Sequence, residues 1–170
     1  METEAQFIEF FSLHRDTLYR LALNICGDGV EAEDIVQDVF EKFWRARDKV
    51  MLSAYPKAYI CRMAHNLAID RERTRVRHKT FTIEENTSSN SNDTLIELSD
   101  IKSITQQAIA SLPEKQRLAI HLRDIEGYEI EEIAEVIGGD SSSVRMNLSR
   151  ARSSVRETIT KALNYGVKQD

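Results

Sequence analysis

The sequence predicts an all-α protein with two small helical domains joined by a flexible linker. Apolar residues recur at helical spacing through most of the 170 residues, and no segment reads as a strand. Residues 84–94 are acidic or small and polar, so they bury too little apolar surface to offset the entropy of ordering them. We therefore expect domains over 1–79 and 101–170, with a linker over 80–100.

The amino-terminal domain contains three predicted helices. The first spans about Ala5–Cys26 and ends at the Gly27–Gly29 turn, and the second runs from about Glu31–Arg47. The segment Asp48–Tyr55 is predicted to be a loop. Since proline suits the first turn of a helix, a third helix is expected from Pro56, continuing as a basic arm to about Lys79.

The carboxyl-terminal domain is predicted to contain four helices. They begin near Ile101, at Glu114, at Ile130 and at Ser141, and the second of them runs to about Ile125. The last two flank a tight Gly138–Asp140 turn. A short acidic helix, a tight turn and a basic second helix are typical of a helix-turn-helix, whose second helix enters the DNA major groove.

The last of these helices, predicted to end near Leu163, carries one apolar stripe and one basic stripe. The apolar stripe comprises Val144, Leu148, Ala151 and Val155. The neighbouring stripe comprises Arg145, Ser149, Arg152 and Arg156, with Met146 and Arg150 beside it. We expect Ser141–Ser143 to cap the helix, where their hydroxyls or the free amides can meet phosphate.

The net charge of −5 is distributed unevenly along the chain. Residues 57–79 carry seven Lys and Arg against two Asp and Glu, and residues 141–170 carry six against two. Each basic block could neutralise several phosphates, while the acidic remainder would repel DNA. The sequence therefore predicts weak binding to free DNA, with another molecule needed to hold the protein there.

Other site types find no support in the sequence. Cys26 and Cys61 lie inside helical patterns and are predicted to be small buried hydrophobic residues. The four histidines are not grouped at metal spacing, and there is no phosphate-binding glycine loop or activated nucleophile. We expect no metal, cofactor, small-molecule substrate or enzymatic activity. The acidic start and the lack of a long apolar run predict a cytoplasmic protein.

Two blocks of residues resemble the extracytoplasmic-function group of bacterial sigma factors, which contain only the second and fourth sigma domains. The first block comprises 32–40, Trp44 and 64–70, and the second comprises 112–117, 126–128, 132–135 and 149–152. They cover most of the chain outside the linker, in the family's order and spacing. The resemblance implies a sigma domain 2 helical bundle over 1–79 and a sigma domain 4 helix-turn-helix over 101–170.

A polar stripe on the second helix comprises Asp34, Gln37, Asp38 and Glu41. Composition alone would make it an ordinary solvated face. The resemblance implies that it docks on a coiled coil of the largest polymerase subunit, where opposite charges steer association and fix the register.

The third helix presents arginines for phosphates, and amides and aromatic rings that can grip an unstacked base. The resemblance implies that this helix melts the minus-ten promoter element and captures a flipped base. The implied residues are Tyr55, Tyr59, Arg62, Asn66, Asp70, Arg71, Arg73 and Arg75. The base pocket should involve the Met51–Tyr55 loop with Tyr59, Asn66 and Asp70, although Tyr59 could instead be a core residue. Asp70 stands where some relatives have Asn.

The last helix matches the part of the family that reads the minus-thirty-five element. The implied residues are Ser142, Ser143, Arg145, Met146, Ser149, Arg150, Arg152 and Arg156. Arginine suits guanine edges, and Met146, in place of the family's small polar residue, suits a thymine methyl group. Arg152 and Arg156 either contact phosphate or are simply solvated.

The resemblance implies a sigma factor that binds core polymerase through its largest-subunit coiled coil and flap and initiates transcription at specific promoters. The expected partners are core polymerase, promoter DNA and an anti-sigma factor. In the family, such a regulator is usually tethered to the membrane. The alternative is a stand-alone helix-turn-helix regulator that binds its operator without polymerase. A protein-interaction module that does not contact DNA is a third class.

Overall fold

The computed structural model describes residues 4–81 and 98–167, and side chains over 4–78 and 101–164. Residues 84–94, predicted to be a flexible linker, lie outside the described residues. The described part is entirely helical, which confirms the predicted fold class. In chain order its elements are α1 (Glu4–Cys26), α2 (Gly29–Met51), α3 (Pro56–Phe81), α4 (Leu98–Ala110), α5 (Glu114–Ile120), a π-helical turn (His121–Ile125), α6 (Ile130–Ile137) and α7 (Ser141–Val167).

Contacts divide the chain into two compact units. The first comprises residues 1–83 with 131–139, and the second comprises the rest. The predicted domains over 1–79 and 101–170 differ from this grouping at 131–139, and their boundaries stay a prediction.

In the first unit, α1, α2 and α3 pack pairwise around one core. Its fully buried members include Leu18, Leu21, Ile35, Val39, Phe43 and Ile60. Burying one side chain of this size contributes roughly 1.5–3 kcal/mol, so the three apolar faces hold the bundle together. Cys26 and Cys61 are buried thiols outside any disulfide in the described residues, and their burial is as predicted.

Aromatic side chains extend this core between α1 and α2. The Phe11 ring lies edge-to-face on Phe40, with centroids 4.9 Å apart, and stacks on Phe43 at 5.5 Å. The Arg47 guanidinium lies 4.8 Å from the Trp44 ring centroid, within cation–π range. These contacts fix the face that α2 turns toward α1, and they leave its polar stripe in solvent.

Local capping sets the start of α2, and core packing sets its end. Gly27, with φ of 70°, ends α1, and the Asp28 side chain accepts a hydrogen bond of 2.9 Å from the Glu31 amide. At the other end, the helix continues to Met51, so the predicted loop is wrong over Asp48–Met51. The extra turn buries Val50 completely, which favours helix there, and the loop shrinks to residues 52–55.

In the second unit, α7 packs against α4 and α5. Leu112, Ile120 and Ala151 form a buried cluster, with Ile109 and Val155 packed against it. The predicted apolar stripe of α7 is confirmed, since Val144, Leu148 and Ala151 are buried and Val155 is partly buried.

A π-helical turn follows α5, where the sequence predicts continuous α-helix. The Glu126 amide donates to the His121 carbonyl at 3.1 Å, which is the five-residue spacing of a π-turn. Gly127 then takes a φ of 72°, a conformation that strains residues with a Cβ. This wider turn shifts the side chains of the segment relative to those of α5.

The amino terminus of α7 is capped by Asp140, so the predicted capping by Ser141–Ser143 is wrong. The Ser143 amide donates to Asp140 Oδ1 at 2.7 Å. A carboxylate both accepts the free amide and interacts favourably with the positive end of the helix dipole. The hydroxyl of Ser142 remains exposed on the first turn.

Among the described helices, none has the length and apolar character needed to cross a bilayer.

Candidate nucleic-acid and protein interfaces

The polar stripe of α2 is a solvent-facing surface, but its members differ in what they contact. Asp34, Gln37 and Glu41 are exposed, and Asp38 is half-buried. Asp38 accepts a hydrogen bond from Arg71 of α3, and Glu41 pairs with Arg45 one turn along α2. Within the described part of the chain, Asp34 and Gln37 have no side-chain partner, so they offer the most accessible polar groups of the stripe.

A pocket opens where the 52–55 loop meets the start of α3. Its lining includes Ser53, Ala54, Tyr55, Tyr59, Arg62, Met63 and Asn66. Tyr55 and Asn66 are exposed, while Tyr59 is half-buried and lines the pocket. The structure therefore brings together four of the residues predicted for the minus-ten element, and Tyr59 is not a fully buried core residue.

Asp70 lies in a different groove, away from the predicted base pocket. That groove is lined by Glu31, Leu67, Asp70, Arg71, Thr74, Arg75 and His78. Within it, Arg75 donates to Glu72 at 2.9 Å, and this contact raises the pKa of Arg75. Ser53 and Met63 were not singled out from the sequence, although the loop that holds Ser53 was.

The arginines of α3 fall into two classes. Arg71 and Arg75 are paired with Asp38 and Glu72. Arg62 and Arg73 are exposed, and their guanidinium groups have no acidic partner among the described residues. Only the second class is free to attract a phosphate without first giving up an ion pair.

On α7, the basic stripe lines a groove in the second unit. Arg145, Ser149, Arg152 and Arg156 line it together with Arg123, Ile130, Leu148 and Ser153. Met146 and Arg150 are exposed outside the groove. Ser142 and Ser143, on the first turn of the same helix, are exposed and half-buried respectively.

Arg123 is a basic residue of this groove that the sequence analysis missed. Three acids, Asp124, Glu126 and Glu129, follow it closely along the chain, so the net charge of the segment hides its positive charge. Its guanidinium donates to the Tyr128 carbonyl at 2.6 Å and to Glu129 at 3.1 Å.

Arg152 is also paired. Its Nε lies 3.0 Å from Asp124 Oδ2, and its Nη2 donates to Asp124 Oδ1. This hydrogen-bonded contact raises the pKa of Arg152. Arg150 and Arg156 have no such partner in the described residues.

Two families match the chain in separate segments. The family described as Sigma-70 region 2 matches residues 10–78, and the family described as Sigma-70, region 4 matches residues 103–155. The first segment contains the α2 stripe and the α3 arginines. The second contains the residues of the α7 groove except Arg156.

Curated relatives are similar over nearly the whole chain. ECF RNA polymerase sigma factor SigE of Mycolicibacterium smegmatis is 28% identical over 158 residues, covering 90% of this chain and 61% of the relative. ECF RNA polymerase sigma factor SigW of Bacillus subtilis is 26% identical, covering 90% of this chain and 88% of the relative. The chain thus spans less than two thirds of SigE but most of SigW.

Two solved structures share the fold. One is the sigma factor RpoE in complex with the anti-sigma factor NepR from Bartonella quintana, with a TM-score of 0.71 and 24% identity over 91% of this chain and 97% of that one. The other is CnrH in complex with the cytosolic domain of CnrY, with a TM-score of 0.67 and 20% identity over 94% and 90%.

Proposed function

The chain belongs to the sigma-70 family, in its extracytoplasmic-function group, and on that premise we propose that it binds core RNA polymerase and directs transcription initiation at specific promoters. The observation that carries this proposal is the occurrence of both matched regions in order, each with its own charged surface. A promoter-specificity subunit needs a surface for polymerase and separate surfaces for two promoter elements.

The α2 stripe is the surface proposed for core polymerase. Asp34 and Gln37 are exposed and lack an internal partner in the described part of the chain, so a cationic surface on polymerase could reach them without breaking an ion pair. Complementary charge accelerates encounter and fixes register more than it adds affinity. Asp38 and Glu41 would join the contact only by exchanging their present arginine partners.

The pocket beside the 52–55 loop is the proposed site for an unstacked base of the minus-ten element. Tyr55 and Tyr59 provide aromatic faces, and stacking on one of them contributes roughly 1–3 kcal/mol per base. The Asn66 amide provides a donor and an acceptor for a base edge. Arg62 and Arg73 are the cations proposed to hold the adjoining phosphates, with Arg71 and Arg75 contributing after release from their acids.

The α7 surface is proposed to read the minus-thirty-five element. Arg145 and Arg150 would contact guanine edges through paired hydrogen bonds, with Ser149 between them, and Met146 would contact a thymine methyl group. Arg156, near the far end of the groove, is proposed to contact phosphate. Ser142 and Ser143 lie at the amino terminus of α7, where phosphate is favoured.

Internal ion pairs explain why this protein would need polymerase to bind a promoter. Arg71, Arg75 and Arg152 are each paired with a nearby carboxylate, so their charges attract phosphate less than isolated arginines would. The net charge of −5 adds long-range repulsion. We propose that core polymerase holds both DNA-binding surfaces on the promoter at once, which makes each weak contact effective.

Partners beyond DNA follow from the same premise. The proposed contacts on polymerase are the coiled coil of its largest subunit and its flap. An anti-sigma factor, either soluble or membrane-tethered, is the proposed regulator, because the two solved relatives are in complex with NepR and CnrY. The protein would act in the cytoplasm as a non-enzymatic subunit.

Run-off transcription with purified core polymerase over a promoter library tests function and specificity together. We expect transcripts from a subset of templates that share two spaced elements, and none without the added chain. Absence of chain-dependent transcripts on every template would contradict the proposal.

A charge reversal tests the polymerase surface specifically. Asp34→Arg should strongly reduce co-purification with core polymerase, because it places like charge against the proposed cationic surface. It does so without breaking an internal ion pair. The control is Glu9→Arg, the same reversal at an exposed position of α1. If the Asp34 variant still co-purifies with core polymerase, the α2 stripe is not the surface that binds polymerase.

A further inference from the structure

Arg152 of α7 and Asp124 of the π-turn form a two-pronged contact across 28 residues of sequence. The Nε–Oδ2 distance is 3.0 Å, and the second prong joins Nη2 to Oδ1. Both side chains are partly exposed, at 49% and 36%, so the pair adds little to the stability of the fold. Its geometry is more informative, because two parallel hydrogen bonds fix the orientation of both planar groups.

The π-turn gives this contact its position. It ends with the hydrogen bond from the Glu126 amide to the His121 carbonyl and with Gly127 at positive φ. Next to the pair, Ile120, Val155 and Ile159 line a largely apolar groove. Ile120 also belongs to the buried cluster with Ala151, against which Val155 packs, and this apolar contact holds α7 on the segment. The bidentate ion pair adds a contact of defined orientation between α7 and the π-turn.

The neighbouring arginines are arranged differently. Arg156 lies one turn further along the same stripe and has no acidic partner in the described residues. Arg152 would have to leave a chelating carboxylate before it could bind phosphate with full charge. Two arginines with the same sequence pattern therefore stand in different electrostatic states.

We propose that Arg152 is a positioning residue, which sets the rotation of α7 through Asp124 so that Arg145, Ser149 and Arg150 face the bases. This inference rests on the proposed function of α7 and narrows it. It assigns Arg152 to the orientation of the reading surface and leaves phosphate binding on this stripe to Arg156. Asp124, an acid beside a DNA-binding surface, gains a role that its charge alone would not suggest.

The test compares reconstituted holoenzymes on a promoter that needs its upstream element. Arg152→Lys keeps the positive charge but cannot form the bidentate contact. Asp124→Asn keeps the shape of the side chain but loses its negative charge. Both should lower promoter affinity about three- to tenfold, and neither should make the slope of log affinity against log salt shallower, as loss of a phosphate contact would. The exchange Asp124→Arg with Arg152→Asp should restore affinity to within about twofold, because it rebuilds the pair with reversed ends.

Arg156→Ala is the matched control for a phosphate contact. It should reduce the salt slope by about 0.9, the value for one lost phosphate, and Arg156→Lys should retain it. Circular dichroism melting of each variant establishes that it is folded. Amide hydrogen exchange across 121–125 measures the same contact in the absence of DNA. Its rate should rise in Asp124→Asn and return to that of the unchanged protein in the double variant Asp124→Arg with Arg152→Asp.

The proposal is overturned if Arg152→Lys behaves like the unchanged protein while Arg152→Ala reduces the salt slope as Arg156→Ala does. It is also overturned if the exchange variant regains neither affinity nor protection. Failure of the unchanged holoenzyme to recognise any promoter would instead contradict the function proposed above. The two failures are therefore distinguishable.

Discussion

At the scale of single residues, internal ion pairs decide which charged side chains are available to a ligand. Position in the sequence does not. Asp34 and Asp38 lie on the same stripe of α2, yet only Asp38 is held by an arginine of α3. Arg152 and Arg156 share a stripe of α7, yet only Arg152 is held by an acid. A count of charges along the sequence treats Asp34 like Asp38 and Arg152 like Arg156. We nevertheless expect the two members of each comparison to behave differently in binding.

Two arginines of α7 should have separable effects on DNA binding. Arg150→Ala should relax base preference at one position of the upstream element, since a bidentate contact to guanine discriminates by roughly 1–3 kcal/mol. Arg156→Ala should weaken all sequences evenly and make the salt dependence shallower. The measurement is holoenzyme binding to a panel of single-base promoter variants. Equal weakening of every sequence by both changes would show that this division of roles is wrong.

The two cysteines should resist alkylation in the folded protein. Both are buried, and burial raises the pKa of the Cys26 thiol, which lowers the fraction of reactive thiolate. Mass spectrometry after treatment with iodoacetamide should find both thiols unmodified in buffer and modified in denaturant. Rapid labelling of either thiol without denaturant would contradict the described core.

At the scale of elements, the sequence predicts the existence of every described helix and several of their ends, but not all of them. The helix α2 continues past its expected end because Val50 finds a place in the core, which is a tertiary effect. The π-turn leaves no compositional signature, since its residues read as ordinary helix formers. The α7 cap was misassigned because three serines follow Asp140, and aspartate and serine are both good capping residues.

The capping assignment has a direct thermodynamic consequence. Asp140→Ala should lower the free energy of unfolding by about 1 kcal/mol, within the range of 0.5–2 kcal/mol for lost side-chain caps. Ser142→Ala, at an exposed position on the first turn, should change it by less than about 0.5 kcal/mol. Urea denaturation of both variants makes the comparison. A larger decrease in the free energy of unfolding for Ser142→Ala than for Asp140→Ala would show that the serines cap the helix.

The candidate sites were predictable to different depths. The stripes on α2 and α7 follow from helical spacing, so their residues could be named from the sequence alone. The base pocket also depends on the 52–55 loop, whose path periodicity does not predict, and Asp70 consequently fell outside it. The pair of Arg152 with Asp124 joins residues far apart in sequence, and no local pattern predicts such a contact.

At the scale of the whole molecule, positive charge is confined to separate stretches of a chain that carries a net charge of −5. Several of the arginines in those stretches are further neutralised by internal acids. We therefore expect promoter affinity to arise from simultaneous contacts made within the assembled polymerase, with neither proposed DNA-binding surface sufficient alone.

The most direct test of that claim is a gel-shift titration on one promoter at physiological ionic strength, with and without core polymerase. The chain with core should bind the promoter at least about a hundredfold more tightly than the chain alone, and a scrambled promoter should abolish the gain. Core polymerase without the chain is the control for non-specific binding. Tight, sequence-specific binding by the chain alone, unimproved by core, would contradict the account and favour a stand-alone regulator.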